Sequence, residues 1–239
     1  MTILEIRDLN VRIAGSHILQ GVTFGVAPHG VTALLGRNGV GKTTTLKAVL
    51  GLLPPKAELG GEVRLADAPI TRQPTHRLVR DGLGYVPEDR GVFGGLTVAE
   101  NLRLAERPGA DPDYNTVYGL FPELQRRGKQ RAGTLSGGQQ QMLAIGRVLL
   151  NPNRLLFIDE PTKGLAPKVV GEVAAALHAV AQTVPMLLVE QNLAVVRRLA
   201  RDAVVIANGK VAYTGGAQDL LDYTEKTKAL LGVGKGEHT

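Results

Sequence analysis

Apolar positions along the chain switch repeatedly between two spacings. Val22, Phe24 and Val26 alternate with Thr23 and Gly25, the period-2 pattern of a half-buried strand. Val31 to Leu35 is a short, nearly continuous apolar run that Gly36 cuts off, and a helical pattern through Leu46, Val49 and Leu50 follows it and stops near Gly51. Similar short runs occupy Leu155–Ile158 and Met186–Val189. Between them, Val169, Val173, Leu177 and Val180 recur three or four residues apart, on one face of a helix. Strand, helix and strand in that order predict a parallel sheet covered by helices. Beyond the last such unit, Asn208-Gly209 separates Val204–Ala207 from Val211–Tyr213, which predicts a hairpin because both turn residues tolerate positive φ. The segment from Asp89 to Leu150 differs. It predicts helices around Val98–Ala105, Tyr114–Phe121 and Gly138–Leu150 and no strong strand, an all-helical lobe inserted into an α/β core. The Gly-rich, polar Gly232–Thr239 is expected to be frayed.

Chemistry enters at the punctuation of this pattern. Gly36-Arg37-Asn38-Gly39-Val40-Gly41-Lys42-Thr43 fits G-x-x-x-x-G-K-[ST], after one expected strand and before one expected helix. Glycines let the backbone curl so that N–H groups point at phosphate oxygens, and the helix N-terminus adds partial positive charge there. Lys42 is the candidate partner of the β/γ-phosphates and Thr43 a ligand for Mg²⁺, with Thr44 next to it in the phosphate-binding set. The run Leu155–Ile158 ends in Asp159-Glu160, and buried strands seldom end in paired carboxylates without a cation to receive them. Asp159 is the candidate metal ligand and Glu160 the group placed to polarise an attacking water. Leu135-Ser136-Gly137-Gly138-Gln139 opens another helix, with Ser136 as N-cap and the glycines exposing N–H groups, a second potential anion site.

Composition narrows the classes. Apolar residues make up 44% of the 239-residue chain, enough for a sizeable core. No stretch approaches the roughly 18–20 apolar residues of a membrane span, and no charged-then-apolar leader opens the chain. Absence of cysteine excludes disulfides and thiolate chemistry. A net charge of +6 suits anionic partners, while 4% aromatics and no Trp argue against a base-stacking platform, so nucleic acid is not expected. The five histidines are scattered and predict no metal cluster, and the basic run Arg126-Arg127-Gly128-Lys129 reads as a solvated face.

With the Leu135–Gln139 pentapeptide lying between the phosphate loop and the Asp159-Glu160 strand, the chain resembles the nucleotide-binding subunits of ATP-binding-cassette (ABC) transporters over about Ile3 to Tyr213. Val86-Pro87-Glu88-Asp89-Arg90, Thr97–Leu102, Leu120–Leu124, Gln130–Thr134, Gly164–Pro167 and Leu188–Asn192 look like the branched-chain amino-acid (Liv-type) group, which includes urea and short-amide uptake ATPases. The resemblance implies an α/β fold: a P-loop NTPase (RecA-like) core with an N-terminal antiparallel β portion and an inserted α-helical lobe. It divides a single domain into a catalytic core (1–88 and 151–215), the lobe (89–150) and a C-terminal helix and tail (216–239). It implies ATP with Mg²⁺, transmembrane permease subunits, an extracytoplasmic solute-binding protein acting indirectly, and a peripheral place on the cytoplasmic face of the membrane. It also implies a head-to-tail pair, with a sister ATPase or a second copy, because one phosphate loop and one signature per chain need two chains to build two sites.

Three positions depart from the common family pattern. The usual Gln at the core–lobe junction is Glu88, a carboxylate that can still touch Mg²⁺ or its water. The usual His after the last core strand is Gln191, whose amide donates a hydrogen bond but exchanges no proton near neutral pH. The base-stacking aromatic aligns with Ile13 or Ala14, which predicts loose base selectivity. Glu160, Lys42, Gln191 and Glu88 are therefore the expected catalytic set, with Thr43, Asp159 and Glu88 toward the metal. Val92 and Phe93, an apolar pair between glycines, are expected on a flexible loop that receives the permease. A non-transport ABC ATPase is the alternative class. Too few residues separate Lys42 from Ser136 for a long coiled-coil arm, and a single cassette does not match the translation-associated members.

Overall fold

Leu4, Ile6, Leu9 and Val11 are fully buried, so β1 (Leu4–Ile13) has one face committed to a core. Ala14 and Gly15, both at positive φ, turn it back into β2 (Ser16–Val26). The computed structural model describes residues 2–232 of the chain; the expected fraying of 233–239 lies outside the described residues. β1 also pairs antiparallel with β4 (Glu58–Leu65), and β5 (Ala68–Pro69) completes a four-stranded sheet of order β2-β1-β4-β5.

The second sheet is the expected parallel one. β3 (Val31–Leu35), β6 (Leu83–Val86), β7 (Leu155–Asp159) and β8 (Met186–Val189) run parallel, joined by β9 (Ala200–Ala207) and the antiparallel β10 (Lys210–Gly216) in the order β10-β9-β3-β8-β7-β6. Asn208 and Gly209, at φ 49° and 73°, form the expected hairpin turn between β9 and β10. β3, β7 and β8 are buried at every position because helices or strands cover both faces. Leu34, Phe157 and Leu187 point toward the antiparallel sheet, α1 (Lys42–Val49) and α2 (Thr75–Arg80). Their neighbours Ala33, Ile158 and Leu188 join the opposite core.

That opposite core runs without a break into the inserted segment. Leu102, Val117, Leu124 and Leu143, from α3 (Val98–Arg103), α4 (Tyr114–Leu120), α5 (Pro122–Arg126) and α6 (Gly137–Leu149), and Phe121 between α4 and α5, share one cluster with the sheet face and with α7 (Pro167–Ala181) and α8 (Leu193–Leu199). A Cβ at Gly146 would meet Val117 at 3.0 Å, so the bare backbone is what lets α6 press so close to α4. Among the described residues this segment holds no strand, only a single bridge between Thr97 and Arg131. Two short helices, α9 (Ala217–Asp222) and α10 (Thr224–Leu231), follow β10. No helix among the described residues is long and apolar enough to cross a membrane.

Candidate functional site

Because β3, β6, β7 and β8 are parallel, their C-terminal ends lie along one edge of the sheet, where α/β folds place their ligands. β3 delivers the phosphate loop there, β6 delivers Glu88, β7 delivers Asp159 and Glu160, and β8 delivers Glu190 and Gln191. The loop's glycines are dictated by space. A Cβ at Gly36, φ 144°, would lie 2.3 Å from the Ile206 carbonyl oxygen, and one at Gly41, φ 109°, would lie 2.4 Å from Leu19. Lys42 opens α1, nearly buried, with its Nζ donating to the carbonyls of Gly36 (2.8 Å) and Arg37 (2.9 Å). Burial lowers the pKa of its ammonium, while first Glu160 and then Asp159 oppose that shift. A cleft of about 430 Å³ opens beside the loop, lined by Gly36, Arg37, Asn38, Glu190, Gln191 and Leu231 among others.

Asp159 is fully buried, and neither of its carboxylate oxygens has a hydrogen-bond partner. Burial pushes its pKa up to about 6, with the nearby Thr43 hydroxyl pulling the other way at a distance or angle short of a hydrogen bond. A buried carboxylate without partners suits a bound cation. Among the described residues no group of three or more His, Asp or Glu side chains could hold a metal by itself, so phosphate oxygens and Thr43 would have to share the coordination.

Glu160 stands at the strand end with positive φ, 45°, and its N–H donates to the Val189 carbonyl at 2.9 Å. The Gln191 amide donates to its Oε1. Glu190, also buried, accepts from the Thr162 hydroxyl (2.6 Å) and from the backbone N–H groups of Gln191 (2.7 Å) and Asn192 (2.9 Å). It thereby fixes the loop that carries Gln191. Lys163 Nζ lies 2.5 Å from Glu88 Oε1 and 3.3 Å from Glu160 Oε2. The fold thus brings Lys42, Thr43, Asp159, Glu160, Glu88 and Gln191 to one edge. It adds two residues to which the sequence reading assigned no role, Glu190 and Lys163; the one signal for Lys163 was a lysine three places after Glu160.

The Ser136–Gln139 segment lies in the lobe and is hydrogen-bonded within itself. Ser136 Oγ accepts from the Gln139 N–H at 3.3 Å, and the Gln139 side chain accepts from the Ser136 N–H at 3.0 Å, a complete capping box. Of its two glycines, Gly138 is buried, and a Cβ there would come 2.5 Å from Val169 on α7. That glycine serves close helix packing as well as N–H exposure.

The expected apolar loop pair divides. Val92 packs against the core, whereas Phe93 is 49% exposed and does not plug the lobe. The loop is also tied down, contrary to the flexibility expected from its glycines. Buried Asn101 receives the Phe93 N–H at 2.9 Å and donates to the carbonyls of Phe93 (3.0 Å) and Thr97 (2.9 Å). The Arg147 guanidinium sits 5.0 Å over the Phe93 ring. In the basic run, Glu123 pairs with Arg126 and Arg127. Ile13 packs partly buried at the end of β1, and Ala14 is exposed at the hairpin turn.

Comparison with known proteins agrees with this geometry. The family model described as ABC transporter matches residues 19–163. The chain is 34% identical over 231 residues to a probable branched-chain amino acid transport ATP-binding protein LivF of Archaeoglobus fulgidus, covering 94% of this chain and 97% of that protein. It is 37% identical over 219 residues to the high-affinity branched-chain amino acid transport ATP-binding protein BraG of Pseudomonas aeruginosa, covering 90% and 93%. A nucleotide-free ATP-binding cassette from an ABC transporter superposes with a TM-score of 0.81 at 24% identity, over 98% of this chain and 100% of that one. An ATP-binding subunit of an ABC transporter superposes at 0.79 with 28% identity, over 96% of each.

Proposed function

The chain belongs to the ABC transporter family, whose ATP-binding subunits hydrolyse ATP to drive transport, and we propose that its system imports branched-chain or other hydrophobic amino acids. Similarity over nearly full length to LivF and BraG, both named for branched-chain amino acid transport, supports that cargo. The chain would sit at the cytoplasmic face of the membrane against permease subunits, paired head to tail with a sister ATPase or a second copy. A solute-binding protein on the other side would feed the permease.

One observation carries the chemical reading: the buried, unpartnered Asp159 carboxylate lies at the same sheet edge as Lys42, Thr43 and Glu160. N–H groups of Gly36–Thr44 would bind the phosphates. Lys42 would exchange its two carbonyl contacts for phosphate oxygens. Thr43 and Asp159 would hold Mg²⁺, with Glu88 reaching it or its water; the ion, when bound, neutralises phosphate charge. Glu160 would take the proton of the attacking water while Gln191 holds its Oε1. From the partner, Ser136, Gly137, Gly138 and Gln139 would cap the same nucleotide.

Glu160→Gln is expected to lower turnover by at least about 10²-fold while retaining ATP binding and an ATP-dependent dimer. Ordinary turnover by the purified variant removes Glu160 from the mechanism. Vesicles enclosing ATP and holding the chain with its co-purified permease, with the solute-binding protein supplied outside, should accumulate labelled leucine; transport of a different solute in leucine's place overturns the cargo assignment.

A further inference from the structure

Resting on the reading of this sheet edge as a metal–phosphate site, one contact there remains without a role. The backbone turn from Glu160 to Lys163 is closed by the Lys163 N–H donating to the Glu160 carbonyl at 3.2 Å. That turn folds the lysine back toward the acid it follows. Its ammonium then spans two elements, reaching Glu88 Oε1 at 2.5 Å and Glu160 Oε2 at 3.3 Å. Both carboxylates together raise the lysine's pKa, Glu88 more strongly, so the cation persists through the neutral range.

Glu88 is the last residue before the loop into the helical lobe. Two residues on, Arg90 lies against the signature: its Nη1 donates to Gln140 Oε1 at 3.5 Å, and a Cβ at Gly137 would come 3.2 Å from that nitrogen. A fixed Glu88 therefore fixes the start of a short path to the tip of α6. The acids that Lys163 neutralises flank Asp159, where a divalent cation would bind. Cation and lysine compete for the same charge.

We propose that Lys163 is a positioning residue, a latch that holds Glu88 against Glu160 and must yield when metal-bound nucleotide draws on those carboxylates. Release of Glu88 then frees the loop and, through Arg90, the signature tip that the partner's nucleotide meets. Lys163 thus keeps the lobe docked until the phosphate site fills.

The cysteine-free sequence permits a direct test in the full chain. Spin labels at Lys47→Cys on α1 and Gln125→Cys on α5, both exposed, report the core-to-lobe distance. Without nucleotide, Lys163→Met should broaden that distance distribution about twofold. It should also reduce the Mg²⁺ concentration for half-maximal binding of a fluorescent ATP analogue by about two- to fivefold, the range expected for removing an exposed charge pair. Lys163→Arg should restore both. If either the width or the Mg²⁺ midpoint is unmoved in Lys163→Met, the latch is refuted. Turnover of Glu160→Gln, read separately, decides the catalytic reading whatever the latch does.

Discussion

Asp159 carries its charge where solvent never reaches it and where no hydrogen bond meets it. Its pKa of about 6 against an ordinary 3.8 fixes the sign of a stability effect. Well below pH 3.8 the group is neutral folded or unfolded and costs nothing. As pH rises the unfolded chain ionises first, so the fold loses stability up to about pH 6, by about 3 kcal/mol in all. In metal-free buffer, Asp159→Asn should raise the urea midpoint at pH 8 and leave it little changed at pH 3.5. Equal gains at both values would show that charge burial is not the cause. The cation proposed to bind at Asp159 would offset this cost.

Between the sheet edge and the lobe surface, two elements would carry the proposed coupling. The loop before α3 presents Phe93 outward because Asn101 holds its backbone and Arg147 supports the ring from beneath. Phe93→Asp should weaken association with the permease while leaving nucleotide affinity unchanged, as measured by co-purification and by nucleotide titration. Asn101→Leu would strand the Phe93 N–H, while the Phe93 and Thr97 carbonyls keep the backbone N–H groups of Leu96 and Asn101, at a cost of about 1–3 kcal/mol in urea unfolding. The N-terminus of α6 depends instead on closeness. Gly138→Ala would drive a methyl into Val169, so about 1–3 kcal/mol of stability should be lost. ATP-dependent dimer formation, followed by sedimentation, should weaken with it.

Across the whole molecule, the phosphate loop and the signature belong to separate surfaces, one at the sheet edge and one at the start of α6. The proposed head-to-tail pairing is testable by complementation. For a pair of identical chains, Lys42→Ala and Ser136→Arg should each abolish turnover alone. Mixed, they should recover part of it, because one heterodimer site joins an intact loop to an intact signature. No recovery in a mixture that forms dimers would refute pairing in trans.

Local sequence determined a great deal here. The phosphate loop, the Asp159-Glu160 strand end, the Asn208-Gly209 hairpin and the helical insertion were all legible, because each rests on short-range rules: φ tolerance of glycine and asparagine, period 2 against 3.6, and acids closing an apolar run. Tertiary structure alone decided what meets what. Parallel strand register brought Glu88, Glu160 and Gln191 from three strands to one edge, Glu190 was revealed as the anchor of the Gln191 loop, and Lys163 turned back onto two acids, one of them 75 residues distant in sequence. Phe93 and Val92, neighbours with the same apolar character, parted to surface and core because Asn101 holds the intervening backbone. Contacts of this kind depend on distances across the sheet and between helices, quantities that no local spacing encodes.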